Sequence, residues 1–306
     1  MSIAILRGGK YKVSQSERTA DNIMHDFQSG GKKYFDICID KDNNWTVSGM
    51  PTNPHHIFSR VDQVIDTTYR DQEAKHKDEI LAQKMGISNH KDNILNRESN
   101  IADVRRVLRQ IKVKTPKFVV IKRDLKSKIS NKALANYLTD DSVTEKIHKA
   151  WRTLHVPLII KSARRHSYTI ETYSAAEALE HVRSIHRFGD DAILDEKVQG
   201  RNYSVFAIRN FRGQKTYIST IFEKLETARN QYARAQSLND KEKEELNQVV
   251  LHVHSHIEPR LARYDLVKNK TGFTVVHIST QISYEDNSFL KKAFDSSGVN
   301  FAEVIG

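Results

Sequence analysis

Residues 192–208, AILDEKVQGRNYSVFAI, read as two strands in succession: an apolar run that turns charged at its end, AILDEKV (192–198), and a second apolar run, YSVFAI (203–208). TYISTIF (216–222) reads as a third. Upstream, PLIIK (157–161) and FVVIK (118–122) are strand-like, with a helical stretch over Val143–Leu154 between them. Ser174–Ile185 has amphipathic helical spacing and opens on Ser174 with Glu177 three residues on, a capping box. Ser99–Gln110 carries Ile101, Val104, Val107 and Leu108 at helical spacing. Downstream come a long helix over Asp240–Ile257 before Pro259, strands at Leu261–Val267 and FTVVHIS (273–279), and a short helix over Ser288–Ser297. The N-terminal portion alternates in the same way. Ser2–Leu6 is a strand stopped by Gly8-Gly9, and Ser14–Phe27 is a helix. FDICID (35–40) and WTVSG form a hairpin about Lys41–Asn44, VDQVIDTTY (61–69) is a strand, and Asp78–Met85 is a helix closed by Gly86. Strands alternating with helices predict an α/β chain.

The 306 residues leave room for two or three domains. A single cysteine, Cys38, excludes an intramolecular disulfide and a cysteine-based zinc set, which fits a reducing cytosol. No apolar run is long enough to span a bilayer, and MSIAILRGG reads as a strand and not a signal peptide, so the expected location is cytoplasmic. Lys and Arg number 49 against 38 Asp and Glu, a net charge of +11. The cations are interleaved with acids along the chain, and the densest basic stretch, Lys112–Lys132, surrounds the apolar FVVI, so nucleic acid is disfavoured as a partner. His252, His254 and His256 recur at spacing two; with no further ligand nearby they read as the polar face of the long helix.

Taken in order, these fragments resemble the D-alanine–D-alanine ligases of the ATP-grasp superfamily. The resemblance runs from IAILRGGKYKVSQSER through YFDICIDKDNNWTVSG, VPLIIKSARRHSYTI, AILDEKVQGRNYSVFAI and LARYDLV to VVHISTQISYEDNSFLKKAFDSSGVNFAEVI. It implies an α/β chain of the mixed α+β ATP-grasp type: an N-terminal domain over 1–95, a central lobe over 96–192 and a C-terminal lobe over 193–306. It further implies ATP and Mg²⁺ as cofactors, an amino acid or dipeptide as small-molecule ligand, a role in peptidoglycan biosynthesis, a homodimer, and activation of one D-alanine as an acyl phosphate that a second attacks.

By the same resemblance Lys161 is the phosphate-binding lysine. Asp195, or Glu196 one register on, meets the adenine amino group, and the backbone of Lys197 and Val198 supplies the hinge contacts. Asn202 replaces the glutamate that grips the ribose, and Ser167 lies in the loop over the phosphates. Arg263 and Asp265 match the "R-x-D" pair of oxyanion arginine and first Mg²⁺ ligand. The "E-x-N" of the second metal strand is His277-Ile278-Ser279, and imidazole and hydroxyl are poor ligands for a hard cation. The phosphate loop, Ala163–Thr169, contains no glycine; the substrate-orienting acid is replaced around Lys12, and a glycine-bearing stretch is reduced to Tyr69–Glu73. The lysine that opens the central lobe falls near Ile101, the substrate loop leaves only Lys224, and the "P-G-M-T" turn is Ile282–Glu285.

Losses confined to chemistry-bearing positions favour a ligase-like protein impaired or inactive in catalysis. The alternative is an active carboxylate–amine ligase with an altered metal site, which needs another carboxylate such as Glu285 or Asp286. A binder of anionic polymers on the inherited scaffold is the third and least favoured reading.

Overall fold

The computed structural model describes residues 2–9, 13–53, 56, 60–68, 101–123, 141–154, 156–163, 169–225, 231–280, 283–286 and 288–304. The chain forms two compact units. One comprises residues 1–93, 203–264 and 278–306; the other comprises 94–202 and 265–277.

In the first unit, β1 (Ile3–Gly8) is the inner strand of a five-stranded sheet with β2 (Tyr34–Ile39), β3 (Trp45–Val47), β4 (Met50–Pro51) and β5 (Gln63–Asp66), in the order β4-β3-β2-β1-β5. β1 pairs parallel with β2 and with β5, and β2–β3 is the hairpin expected around Lys41–Asn44. The Asp40 carboxylate closes that turn by accepting the Asp42 and Asn44 N–H groups, each at 2.8 Å. β1 ends at Gly8, at φ +88°, where a Cβ would stand 2.2 Å from the Ile39 carbonyl oxygen, so only glycine lets the two strands approach. Helix α1 (Val13–Ser29) buries Ala20, Ile23 and Phe27 in one core with Ile3, Ile5, Phe206, Phe289, Phe294 and Phe301.

The other unit has a four-stranded sheet in the order β6 (Phe118–Ile121), β9 (Ala192–Glu196), β7 (Leu158–Ser162), β8 (Thr169–Thr172), all antiparallel. Strand alternation divides its two faces. Ile121, Ile160 and Leu194 pack against α3 (Asp141–Thr153) and α4 (Ala175–Arg187) through Val143, Ile147, Val182 and Ile185. Phe118, Val120 and Ile193 face α2 (Ile101–Gln110) through Ile101 and Ala102. Ser174 caps α4 by accepting the Glu177 N–H, and Glu177 accepts the Tyr173 N–H and the Thr172 hydroxyl.

A six-stranded sheet runs β13 (Tyr232–Arg234), β12 (Phe222–Lys224), β10 (Arg201–Phe211), β14 (Leu261–Asn269), β15 (Gly272–Ser279), with β11 (Gln214–Ile218) also on β10. The expected single strand over 216–222 is two strands. β10 pairs Ala207 with Ile218 but Ser204 with Phe222, so three residues oppose two and the ladder bulges. Ser219 mends the break: its N–H donates to the Phe206 carbonyl at 2.9 Å, and its hydroxyl accepts the Phe206 N–H at 3.0 Å.

Helix α5 (Asp240–Ile257) has the expected bounds and opens on a capping box between Asn239 and Glu242. α6 (Phe289–Ser297) is capped by Ser288, and α7 (Phe301–Val304) follows. No helix among the described residues is long and apolar enough to cross a membrane. The predicted helix over 78–85 lies outside the described residues.

Candidate functional site

The register of β7 against β9 brings together two of the residues singled out above. Ile159 stands opposite Asp195, so Lys161, two residues on, shares the face of Asp195 and lies diagonal to it. Lys161 Nζ is 3.0 Å from Asp195 Oδ2. A third group comes from α2: Arg105 Nη2 donates to the same oxygen at 2.7 Å, and Arg105 Nη1 donates to Oδ1. Arg105 and Asp195 are buried, at 2% and 1% exposure. Arg105 also lies 5.4 Å from the centre of the Phe118 ring and reaches the Val276 carbonyl at 3.5 Å. Burial lowers the Lys161 pKa from its ordinary value; Arg105 acts in the same direction, while Asp195 and, more weakly, Asp265 oppose the shift.

Both oxygens of Asp195 are thus engaged by cations of its own chain. A carboxylate in this state is a poor acceptor for a neutral amino group, because any newcomer competes with charge-assisted bonds. Glu196 turns away to the strand end, where Oε1 accepts the Lys117 N–H at 3.0 Å. Lys197 Nζ pairs with both oxygens of Glu171 at 2.9 Å, which raises its pKa, and its N–H donates to the Pro157 carbonyl. Val198 is half-buried and Asn202 exposed.

On β14, Ala262, Tyr264 and Leu266 are buried, and Arg263 and Asp265 share the other, half-buried face. The Arg263 guanidinium stands 5.8 Å from the centre of the Phe289 ring. On β15, His277 and Ser279 likewise share a face, with Ile278 buried between them. Asp265 is the one anion in the donor set Asp265, His277 and Ser279, which does not fit Mg²⁺. Among the described residues no three His, Cys, Asp or Glu side chains are grouped to hold a metal ion. Glu285 is held by Arg18, with Nη2 at 2.9 Å, and Asp286 accepts Asn22 Nδ2 at 3.0 Å. Lys224 is exposed at the end of β12, and the Ile101 N–H donates to the Ala163 carbonyl. Ser167 and the rest of 164–168, Lys12, and Tyr69–Glu73 lie outside the described residues.

Two residues depart from their sequence reading. Arg105 was missed altogether: Ala102, Arg105 and Leu108 are the buried positions of α2, so a cation three residues from each apolar neighbour was the available signal. His254 is buried in unit one, not on a polar face. Its Nδ1 bonds the Tyr264 hydroxyl at 2.9 Å, and burial, with the charge of Arg209, pushes its pKa down to about 4. His252 and His256 are exposed, their ring centres 4.6 Å apart.

No protein-family model and no curated protein sequence matches the chain. Solved structures do. D-alanyl-alanine synthetase A from Vibrio cholerae superposes with a TM-score of 0.74 at 14% identity, covering 100% of this chain and 96% of its own. The VanG D-Ala:D-Ser ligase from Enterococcus faecalis gives 0.72 at 12% identity, covering 99% and 97%. The D-alanine–D-alanine ligase from Bacillus anthracis complexed with ATP gives 0.69 at 13% identity, covering 100% and 94%. The chain has the ATP-grasp fold of the D-alanine–D-alanine ligases from end to end.

Proposed function

We propose that this chain is a D-alanine–D-alanine ligase-like protein that has lost, or nearly lost, metal-dependent ligation. The observation that carries the reading is the bonding of Asp195, which is buried with Arg105: its two oxygens are held by Arg105 and by the half-buried Lys161, so the carboxylate that the resemblance assigns to adenine is spent on its own chain's cations. Two further observations support it. The donors Asp265, His277 and Ser279 do not suit Mg²⁺. The carboxylates that could have replaced the missing ligand, Glu285 and Asp286, are already bonded to Arg18 and Asn22 of α1. A cytoplasmic protein with a cleft for a nucleotide, amino acid or dipeptide fits this reading.

The test is calorimetric titration of the purified protein with ATP, alone and with Mg²⁺ or Mn²⁺, beside a phosphate-release assay with D-alanine. Weak or metal-indifferent nucleotide binding without phosphate release is expected. Tight metal-dependent binding with phosphate release overturns the proposal.

A further inference from the structure

Unit two gathers cations that the sequence scatters. Beyond the end of α2, Lys112 stands at φ +59°, the Val113 N–H returns to the Leu108 carbonyl at 2.8 Å, and the chain then runs through Lys114 and Lys117 into β6. Three contacts fix what lies beside this segment. The Val275 N–H donates to the Lys114 carbonyl at 2.9 Å, and Lys114 Nζ donates to the Thr271 carbonyl, which sets the β14–β15 turn with Lys268 and Lys270 against it. On its other flank, Glu196 N–H donates to the Lys117 carbonyl at 3.0 Å. The chain beyond Glu196 then reaches Arg201 by way of Gly200, where a Cβ would meet the Lys268 carbonyl oxygen at 2.1 Å. Arg109 lies over the Phe118 ring, 4.4 Å from its centre.

Arg109, Lys112, Lys114, Lys117, Arg201 and Lys270 are exposed and Lys268 half-buried: seven cations. The one carboxylate on these segments, Glu196, already accepts the Lys117 N–H. Among the described residues, Lys112, Lys114, Lys117 and Lys270 have no carboxylate within ion-pair distance. These cations are carried by three neighbouring segments, an arrangement that suits a chain of phosphates better than a single one.

We infer that this surface of unit two binds the phosphate backbone of a nucleic acid without reading its sequence. The inference does not depend on the fate of the ligation site. The sequence weighed against it because cations and acids alternate along the chain; the fold brings the Lys112–Lys117 segment beside those of Lys268, Lys270 and Arg201.

The experiment uses the full chain and a fluorescently labelled oligothymidylate, followed by anisotropy across a salt series, with inorganic polyphosphate and heparin as competitors. The wild type is expected to bind with a log–log salt slope of about −2 to −4, as roughly three to five neutralised phosphates require. Lys112→Glu/Lys114→Glu/Lys117→Glu should weaken binding at least ~10-fold and flatten the slope by about 2. A control with the same charge change in unit one, Lys33→Glu/Lys215→Glu/Lys241→Glu, should lose no more than ~3-fold. The corresponding glutamine triple, with unfolding followed alongside, separates lost binding from lost fold. Equal losses in the two triples, binding to polyphosphate or heparin but not to the oligonucleotide, or no binding at low salt overturns the inference.

Discussion

Arg105→Leu removes one partner of a carboxylate that is almost wholly buried. Asp195 keeps Lys161 Nζ at 3.0 Å and loses both guanidinium bonds, one of them at 2.7 Å. Leaving a buried charge short of its partner costs about 3–5 kcal/mol. Asp195→Asn keeps the shape and leaves the guanidinium facing a neutral amide, at about 3 kcal/mol. The double variant should cost less than the sum, with a coupling of about 2–3 kcal/mol, because Arg105 and Asp195 lose their charges together and only the half-buried Lys161 is left without its carboxylate. Urea unfolding measures all four corners of the cycle. Trp151 is packed beside the α3–α4 core of unit two, so its fluorescence in a Trp45→Phe background reports on that unit. Costs that add within about 0.5 kcal/mol, or an Arg105→Leu penalty below about 1 kcal/mol, would refute the claim that Arg105 holds Asp195.

Other consequences can be checked with the same tools. The His254 pKa, depressed to about 4, makes a contribution to stability that is complete above its ordinary value near 6.5 and is lost as pH falls through about 4. Relative to His254→Phe, the wild type should lose about 3 kcal/mol over that window, and a flat difference in urea stability across it contradicts the burial argument. Gly200→Ala places a Cβ against the Lys268 carbonyl at φ +144° and should cost about 2–4 kcal/mol, whereas Gly213→Ala, with open space at φ +74°, should cost about 1 kcal/mol; equal shifts in the urea midpoint would show that the close approach is not rigid. His277→Glu/Ser279→Asn supplies the expected metal ligands yet should give no phosphate release with ATP, Mg²⁺ and D-alanine, since the Arg105–Asp195 pair is untouched. Turnover in that variant would place the whole defect in the metal strand.

Strands and capped helices were legible because their signals are local. The Ser174–Glu177 spacing marks the start of α4, the bounds of α5 stand within its own residues, and apolar runs mark β6, β7 and β9. What was hidden depends on partners distant in sequence. Ser219 splits one apolar run in two only because Phe206 lies across from it. Arg105 and His254 sit on apolar stripes, between Ala102 and Leu108 and between Val250 and Ile257, where a polar residue is easily taken for the edge of the solvated face. Lys161 and Asp195 were named from a resemblance, but their bond to each other follows from strand register, which no single segment encodes.

The core of unit one joins α1 to α6 and α7, which lie far from it along the chain. Asp26 on α1 accepts the Tyr284 hydroxyl at 2.8 Å and the Phe301 N–H at 3.1 Å, and Phe27 shares its cluster with Phe289 and Phe294. During synthesis at roughly 5–20 residues per second, α1 therefore emerges about 15–55 s before the aromatic residues that cover it. Over that interval Ile23 and Phe27 have Ile3, Ile5 and Ile65 to pack on but lack Phe289, Phe294 and Phe301, so part of their apolar surface stays uncovered on a ribosome-bound chain. A stop codon that removes only the segment from Tyr284 onward should leave the N-terminal sheet without its cover and send the product to proteolysis.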